Sequence, residues 1–438
     1  MKKILIFHTI VAALGGFLFG FDTAVISGAE QAIQELWQLS DFEHGLAVAI
    51  ALYGTVIGAL FAGIPVNALG RKQTLFWIGL LYFVSALGSA IAPEVYSFML
   101  LRFIGGVGVG ASSVAAPMYI SEIAPAKMRG RLVALFQFNI TLGIVIAYLS
   151  NYLIADIGEN AWRWMLGVEA LPALLFAVLV VFLPKSPRWL IALKNDENAA
   201  REVLEKVSNE DVDYAISEIK ESIAHANNGT GNLFSSKFRK PVMLAFLFAV
   251  FNQFSGINAI IYYAPRIFEM TGLGASSALL SSTGVGITNL IFCIVGIFII
   301  DLFGRKSLMY IGSFGLIITL SLVAYGFLSE QLGGIPAFIF LYIAFFSMSQ
   351  GAVIWVFIAE IFPNKIRAQG QSFGSFTHWI LAAVIANIFP FFAGQFGGGP
   401  VFSFFAGMMF LQLLFVWKIM PETKGRSLEE LEKELVTQ

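Results

Sequence analysis

Cysteine is all but missing, with Cys293 the only one in 438 residues. A single thiol cannot close a disulfide within the chain. With only four histidines beside it, no cluster of zinc-ligand spacing exists, and metal chemistry finds no ligand set. Charge is also scarce: charged residues make up 13% of the chain, well below the quarter or so typical of soluble proteins, and the net charge is −1. No basic tract of the nucleic-acid-binding kind occurs. No GxxxxGK loop followed by Ser or Thr is present to hold ATP phosphates. These absences disfavour nucleic-acid partners, ATP-driven pumping and any bound cofactor.

Apolar surface is abundant, at 58% of residues with 43 phenylalanines. A hydrocarbon core takes roughly 20 apolar residues per helix. Twelve such runs start near residues 4, 44, 73, 96, 132 and 162, then near 241, 276, 308, 336, 369 and 400. The chain is therefore expected to be an all-α membrane protein of twelve spans. MKKILIFHTIVAALGG opens like a signal peptide, but its apolar run continues to Ser27 with no convincing cleavage site, so it reads as a retained first span.

Alternate short loops carry Arg71 and Lys72, then Lys127, Arg129 and Arg131, then Arg305 and Lys306, then Lys365 and Arg367. The intervening loops carry acids, among them Glu30, Glu35, Asp41, Glu43, Glu94, Asp156, Glu159 and Glu330. The positive-inside rule then puts both termini in the cytoplasm of a multi-pass cell-membrane protein. A polar segment near residues 184–240 is too charged to enter lipid. Within it Val212, Ile216, Ile219 and Ile223 recur at helical spacing, which predicts an amphipathic helix in a cytoplasmic linker.

An internal repeat divides the chain. NALGRK at 67–72 returns as DLFGRK at 301–306, SEIAPAKMRG at 121–130 as AEIFPNKIRA at 359–368, and LPKSPR at 183–188 as MPETKG at 420–425, all offset by about 235 residues. The expected organisation is a six-helix half at 1–183, the linker at 184–240, a second half in parallel orientation at 241–420 and a short tail at 421–438. Such repeats place a substrate site between the halves near the bilayer midplane.

Several ionisable groups fall inside spans: Asp22, Arg102, Glu169 and His378. An acid at the bilayer centre costs about 3 kcal/mol on insertion scales, so intramembrane charge is a functional-site hypothesis by default. Asp22 and Arg102 lie at comparable depth on the first and fourth spans and are natural partners. A proton site follows if they separate in one conformation and close in another; a static ion pair is the alternative. Each half also carries an acid at a basic helix end, Glu122 or Glu360, followed seven residues later by Arg129 or Arg367, together with Arg71 or Arg305 in a GRK turn. These charges either orient the spans or pair across helices as a latch on the cytoplasmic side. GGVGVG at 105–110 lies in an apolar span with no preceding strand and reads as close helix packing.

With GGFLFGFDTAVISG, the two GRK turns, PMYISEIAPAKMRG, SPRWL, NQFSGINAIIYYAP, GAVIWVFIAEIFP and PETKGRSLEEL in order, the chain resembles the sugar porters of the major facilitator superfamily from about Gly15 to Leu431. The resemblance implies the two-half major facilitator fold and a monosaccharide, hexose or pentose, carried with a proton by alternating access. It implies Asp22 as proton acceptor with Arg102 as its modulator, Glu169 as brace or proton linkage, and the basic loops as the latch. A sugar calls for neutral hydrogen-bonding groups and flat apolar faces. Gln137, Gln253, Asn258, Asn289, Tyr262 and Trp355 fall on family sugar positions; Asn252, Gly351 and His378 join them, and Phe19 is a candidate gate. Gly256, Pro265 and Gly351 are expected to let half-helices hinge there. Asn67 and Lys185 stand where the family usually has Asp and Glu, so the first half's ionic network should be thinner. Asn252, Gln350, Ala352 and His378 depart from the xylose and glucose porters and leave the sugar open. A facilitative uniporter, a polyol/proton symporter and a transporter-like sensor remain as alternatives; the partners expected are sugar, proton and bilayer, for a monomer. SLEELEKEL reads as a tail helix capped by Ser427 and Glu430.

Overall fold

A computed structural model of the chain describes residues 2–125, 128–207, 211–226, 232–363, 365–426 and 428–436, without the side chains of 222, 224–226, 428 and 429. Lys127 and Ser427 lie outside the described residues. Among the described residues, twelve helices are long and apolar enough to cross a membrane: Lys3–Gly28, Asp41–Phe61, Arg71–Ile91, Val95–Ile123, Arg129–Ile157, Ala161–Val180, Ser236–Glu269, Ala275–Phe303, Arg305–Leu328, Leu332–Ile361, Arg367–Phe396 and Gly398–Lys418. They are called the first to twelfth spans. Each begins within five residues of its expected start. The real starts come earlier because the basic interface residues Arg71, Arg129, Arg305 and Arg367 already form first helical turns.

The two GRK turns have one geometry. Gly70 (φ 87°, ψ 163°) and Gly304 (φ 88°, ψ 163°) each precede a helix that starts at the arginine. A Cβ on Gly70 would sit 2.9 Å from the Trp189 ring, and one on Gly304 2.6 Å from Glu422 Oε2. Positive φ and crowding both require glycine here, and the repeat seen in the letters is a repeat in backbone angles.

Packing divides the chain into two compact units. The first comprises Met1–Val25, Ile50–Ala147 and Glu159–Thr230. Its spans approach backbone to backbone: a Cβ on Gly20 would lie 1.8 Å from the Ile140 carbonyl oxygen, and one on Gly143 2.1 Å from that of Phe17. Gly106 and Gly110 meet the Ala51 and Thr55 carbonyls of the second span at 1.9 and 2.1 Å in the same sense, so GGVGVG is a packing surface. The polar segment belongs to this unit as far as residue 230 and includes helices Pro187–Lys194, Glu197–Val207 and Val212–Ala226. Ser186 caps the first by accepting from the Trp189 amide at 3.1 Å, with Pro187 in the first turn. Trp189, Leu190, Ala200 and Leu204 form a small core with Ile216, and Val212, Ile219 and Ile223 pack on it along the stripe expected.

The second unit comprises Ile26–Ala49, Tyr148–Gly158 and Gly231–Gln438. Two of its spans are interrupted. The seventh breaks between Arg239–Gln253 and Ile257–Glu269, where Gly256 takes φ 87° against the Phe405 ring, and Tyr263 is non-helical two residues before Pro265. The tenth breaks at Ser349 (φ −115°, ψ −89°), two residues before Gly351. Ser349 Oγ donates to the Phe345 carbonyl at 2.5 Å, and Gly312 makes room for that side chain.

Replacing Gly20 with valine should destabilise the protein by about 3 kcal/mol or more, because the added atoms meet a carbonyl that cannot move aside. Gly351→Ala, whose nearest foreign atom would be 3.5 Å from the new Cβ, should change little. Thermal unfolding in detergent, read by intrinsic fluorescence and monodispersity, checks both.

Candidate functional site

In the first unit Arg102 reaches Asp22 twice: Nη1 donates to Oδ1 at 2.5 Å and Nη2 to the Asp22 carbonyl at 3.1 Å. Both residues are buried, at 1% and 2% exposure. Gly105, one turn beyond Arg102, permits the approach, since a Cβ there would be 2.3 Å from Ser85 Oγ and 3.7 Å from Asp22 Oδ1. Glu169, also buried, lies within electrostatic range of both members of the pair, and its Oε1 has no hydrogen-bond partner. Tyr82 is fully buried within electrostatic range of Asp22 and Glu169. Nothing in its sequence context, one tyrosine in an apolar run, marks it out. Phe19 is buried one turn before Asp22, and Gln137 on the fifth span is half-buried.

The second unit gathers neutral amides at the break in the seventh span. Gln253 Nε2 donates to Asn252 Oδ1 at 3.0 Å and lies 3.1 Å from both ring nitrogens of His378. Asn258 Nδ2 donates to Gln253 Oε1 at 2.5 Å, and Asn252 Nδ2 to the Gln350 carbonyl at 3.4 Å. All four side chains are buried. A neutral imidazole leaves one ring nitrogen able to accept from this NH2, the other carrying the ring hydrogen. The Trp355 ring lies 4.9 Å from the His378 ring at 56° and is 37% exposed, leaving an indole surface beside the amides. Tyr262 is buried on the same broken span.

Other expected members are placed differently. Asn289 accepts from Ser347 Oγ at 2.8 Å, a bond from the eighth span to the tenth. Gln350 turns its NH2 to Met409 Sδ at 3.1 Å. Gly351 faces only ordinary contacts. Asn139, a further amide of the fifth span, donates to the Leu135 carbonyl of its own helix at 2.8 Å. Sequence reading missed Tyr342, whose hydroxyl donates to the Ser255 carbonyl at 3.0 Å and holds the broken segment.

The paired basic ends are formed within each repeat. Arg71 Nη2 meets Glu122 Oε1 at 2.7 Å, and Ser186 Oγ donates to the other carboxylate oxygen at 2.5 Å. Arg305 grips Glu360 with Nε and Nη2 at 3.2 and 2.8 Å and reaches Asp301 at 2.9 Å with Nη1. Thr423 Oγ1 donates to Glu360, while Glu422 accepts from the Arg305 and Lys306 amides at 3.0 Å each. Of the arginines seven residues after the glutamates, Arg129 is exposed and Arg367 Nε donates to the Phe362 carbonyl at 3.2 Å. At Asn67 only the carbonyl is used, accepting from Trp189 Nε1 at 2.9 Å, and Lys185 lies over the Trp189 ring. The first repeat therefore has one carboxylate on its arginine where the second has two.

Twelve apolar helices, discontinuous spans lined with neutral amides and a charge pair buried in the bundle define a membrane transport protein of the secondary type. A profile for the family described as "Sugar (and other) transporter" matches residues 8–435, and the chain belongs to that family. Among similar curated proteins are a D-xylose transporter of Levilactobacillus brevis, 38% identical over 97% of this chain and 94% of its own length, and the D-xylose-proton symporter of Escherichia coli K12, 36% identical with the same coverage. The glucose transporter GlcP of Staphylococcus epidermidis is 37% identical over 99% of this chain and 97% of its own. Among solved structures, the inward open conformation of the xylose transporter XylE from E. coli superimposes with a TM-score of 0.88 at 35% identity, covering 98% of this chain and all of that one. The chain thus has the major facilitator fold.

Arg102→Gln leaves the Asp22 carboxylate buried without its partner and should cost about 3–5 kcal/mol. The double variant Asp22→Asn/Arg102→Gln, which removes both charges, should be more stable than Arg102→Gln alone. A thermal-unfolding double-mutant cycle measures the coupling.

Proposed function

We propose that the protein is a monosaccharide/proton symporter that works by alternating access in the cell membrane, as a monomer with both termini cytoplasmic and with no cofactor. The observation that carries the reading is the buried Asp22–Arg102 pair. A passive carrier of neutral sugars has no use for a titratable acid in its interior, whereas a symporter needs one that trades a cation for a proton. When Arg102 holds Asp22 the acid is satisfied without a proton. When the pair parts, protonation removes a charge that the apolar surroundings disfavour. Glu169, with an oxygen unpartnered beside the pair, is a second acceptor along the same route. Phe19, one turn from Asp22, is assigned as the gate residue of the first span.

The sugar is read by Gln253, Asn258, Asn252 and His378, whose mutual bonds in the empty cluster are exchanged for bonds to hydroxyls, while Trp355 offers a ring face. Tyr262, Gln137, Asn289 and Gly351 are assigned to the same substrate machinery, the last two supporting backbone and span contacts. Arg71, Glu122, Arg305 and Glu360 form the cytoplasmic latch, with Arg129 and Arg367 as additional charges at its edge. A pentose or hexose fits the relatives named for xylose and glucose. His378 is, with Asn252, Gln350 and Ala352, one of the residues at which the chain departs from the xylose and glucose porters it resembles, and its choice among sugars is expected to turn there.

Uptake of labelled xylose and glucose into proteoliposomes, with and without an imposed proton gradient, tests the reading. Each proton entering down 100 mV releases about 2.3 kcal/mol, enough for nearly fifty-fold accumulation. Accumulation indifferent to the gradient would leave a uniporter. Asp22→Asn should lose gradient-driven accumulation yet keep sugar counterflow; equal loss of both would make the pair a brace. His378→Phe should raise KM at least tenfold while leaving the sugar-to-proton ratio unchanged, as scored by paired sugar and pH-dye fluxes.

A further inference from the structure

The first span ends in a turn, Ile26–Gly28, and a short helix, Glu30–Leu36, follows. Glu30 stands in what reads as a solvated acidic loop, yet it is 0% exposed. Arg266 of the seventh span grips it with a fork, Nε to Oε1 at 2.9 Å and Nη2 to Oε2 at 2.7 Å, and Nη2 also reaches Gln34 Oε1 at 2.6 Å. His44 Nε2, at the start of the second span, lies 2.7 Å from Glu30 Oε2, with its ring edge-on to Tyr263. Around this centre Gln31 Nε2 donates to Glu269 at 2.8 Å, Gln34 Nε2 to Asp41 at 3.1 Å, and Tyr148 of the fifth span to the Ile261 carbonyl at 2.6 Å. Gly45 brings the second span onto the Asn387 carbonyl of the eleventh. All of this belongs to the second unit.

These contacts join residues of the first sequence repeat to spans of the second, whereas Arg71–Glu122 and Arg305–Glu360 stay inside one repeat. The division between the two units also falls inside continuous helices. The second span runs unbroken from Asp41 to Phe61, yet its residues to Ala49 pack with the second unit and those from Ile50 with the first. The fifth span changes unit in the same way at Tyr148. A stiff helix shared by two units transmits any movement of one to its contacts in the other. The contacts at this end include charged forks and hydroxyl bonds, which water can replace when it enters, so they suit a joint that opens and closes.

We propose that Glu30 and Arg266, positioned by His44 and Gln34, form a latch at the face opposite the termini that must part in every transport cycle and sets the balance between the two access states. The inference rests on the alternating-access reading. Wild-type sugar counterflow tests that reading by itself, and the latch is judged only relative to the wild-type rate.

The test pairs two arms in proteoliposomes. In the first, Glu30→Cys/Arg266→Cys is bridged by a short bifunctional methanethiosulfonate, with the single-cysteine proteins as controls; Cys293 is buried and stays in place. Counterflow should fall more than tenfold on bridging and return with dithiothreitol. A bridged protein that exchanges sugar at its unbridged rate overturns the latch, because a static brace tolerates a tether. The second arm needs no cysteine. In Glu30→Gln the outward-facing state gains population, so the KM for external sugar should drop several-fold with counterflow retained. An unchanged KM, whether or not stability falls, also overturns it.

Discussion

An ion pair taken out of water is held in place by its own cost. Once Asp22 and Arg102 are buried, losing one costs the other its charge-assisted partner in surroundings that solvate charge poorly. Much of the first unit serves that constraint. Gly105 lacks a side chain where one would strike Ser85, and Gly20 and Gly143 bring the first and fifth spans to carbonyl contact in the turns just before the acid. The glycines of the opening motif and of GGVGVG are therefore the condition for placing charge so deep, since wider helix separation would admit water and relax the pairing.

The second repeat solves a related problem at the basic helix ends with more bonds. Arg305 has Glu360, Asp301 and the Glu422-capped turn around it, while Arg71 has Glu122 and the Ser186 hydroxyl. Asp301 is largely exposed, so its added contribution is small, about 0.5 kcal/mol or less. The larger difference is Glu422, which satisfies two helix N-terminal amides that Lys185, a cation, cannot accept from. Asymmetry between the repeats is thus a matter of backbone satisfaction more than of ion-pair count.

Spans, repeats and linker helices were legible because apolar runs and helical spacing are local signals. The Asp22–Arg102 partnership was legible too, since two opposite charges in lipid have few alternatives. Glu30 was not. An acid just past the end of a span looks like any solvated loop residue, and only the approach of Arg266, 236 positions away, shows that it is buried. The partners of Glu122 and Glu360 were harder to read for the opposite reason: the chain leaves the helix before Arg129 and Arg367, and Arg71 and Arg305 reach the two acids from the GRK turns, which no local spacing announces. The tenth-span break fell at Ser349 instead of Gly351 because a hydroxyl that bonds its own helix, given space by Gly312, can end a helix as well as a missing side chain can.

On the proposed reading, the amide cluster gives the substrate machinery a different chemistry from the coupling pair. Asn252, Gln253, Asn258 and His378 bond to one another, so sugar hydroxyls would exchange with those bonds at little net cost and with no change in charge. A carboxylate in that cluster would bind hydroxyls more strongly, but its affinity for sugar would then follow its own protonation, and the sugar would hold the proton back at release. With the acid on the first span and the amide cluster neutral, the proposed symport would link its two cargoes through conformation alone. Either can then leave once the inner face opens.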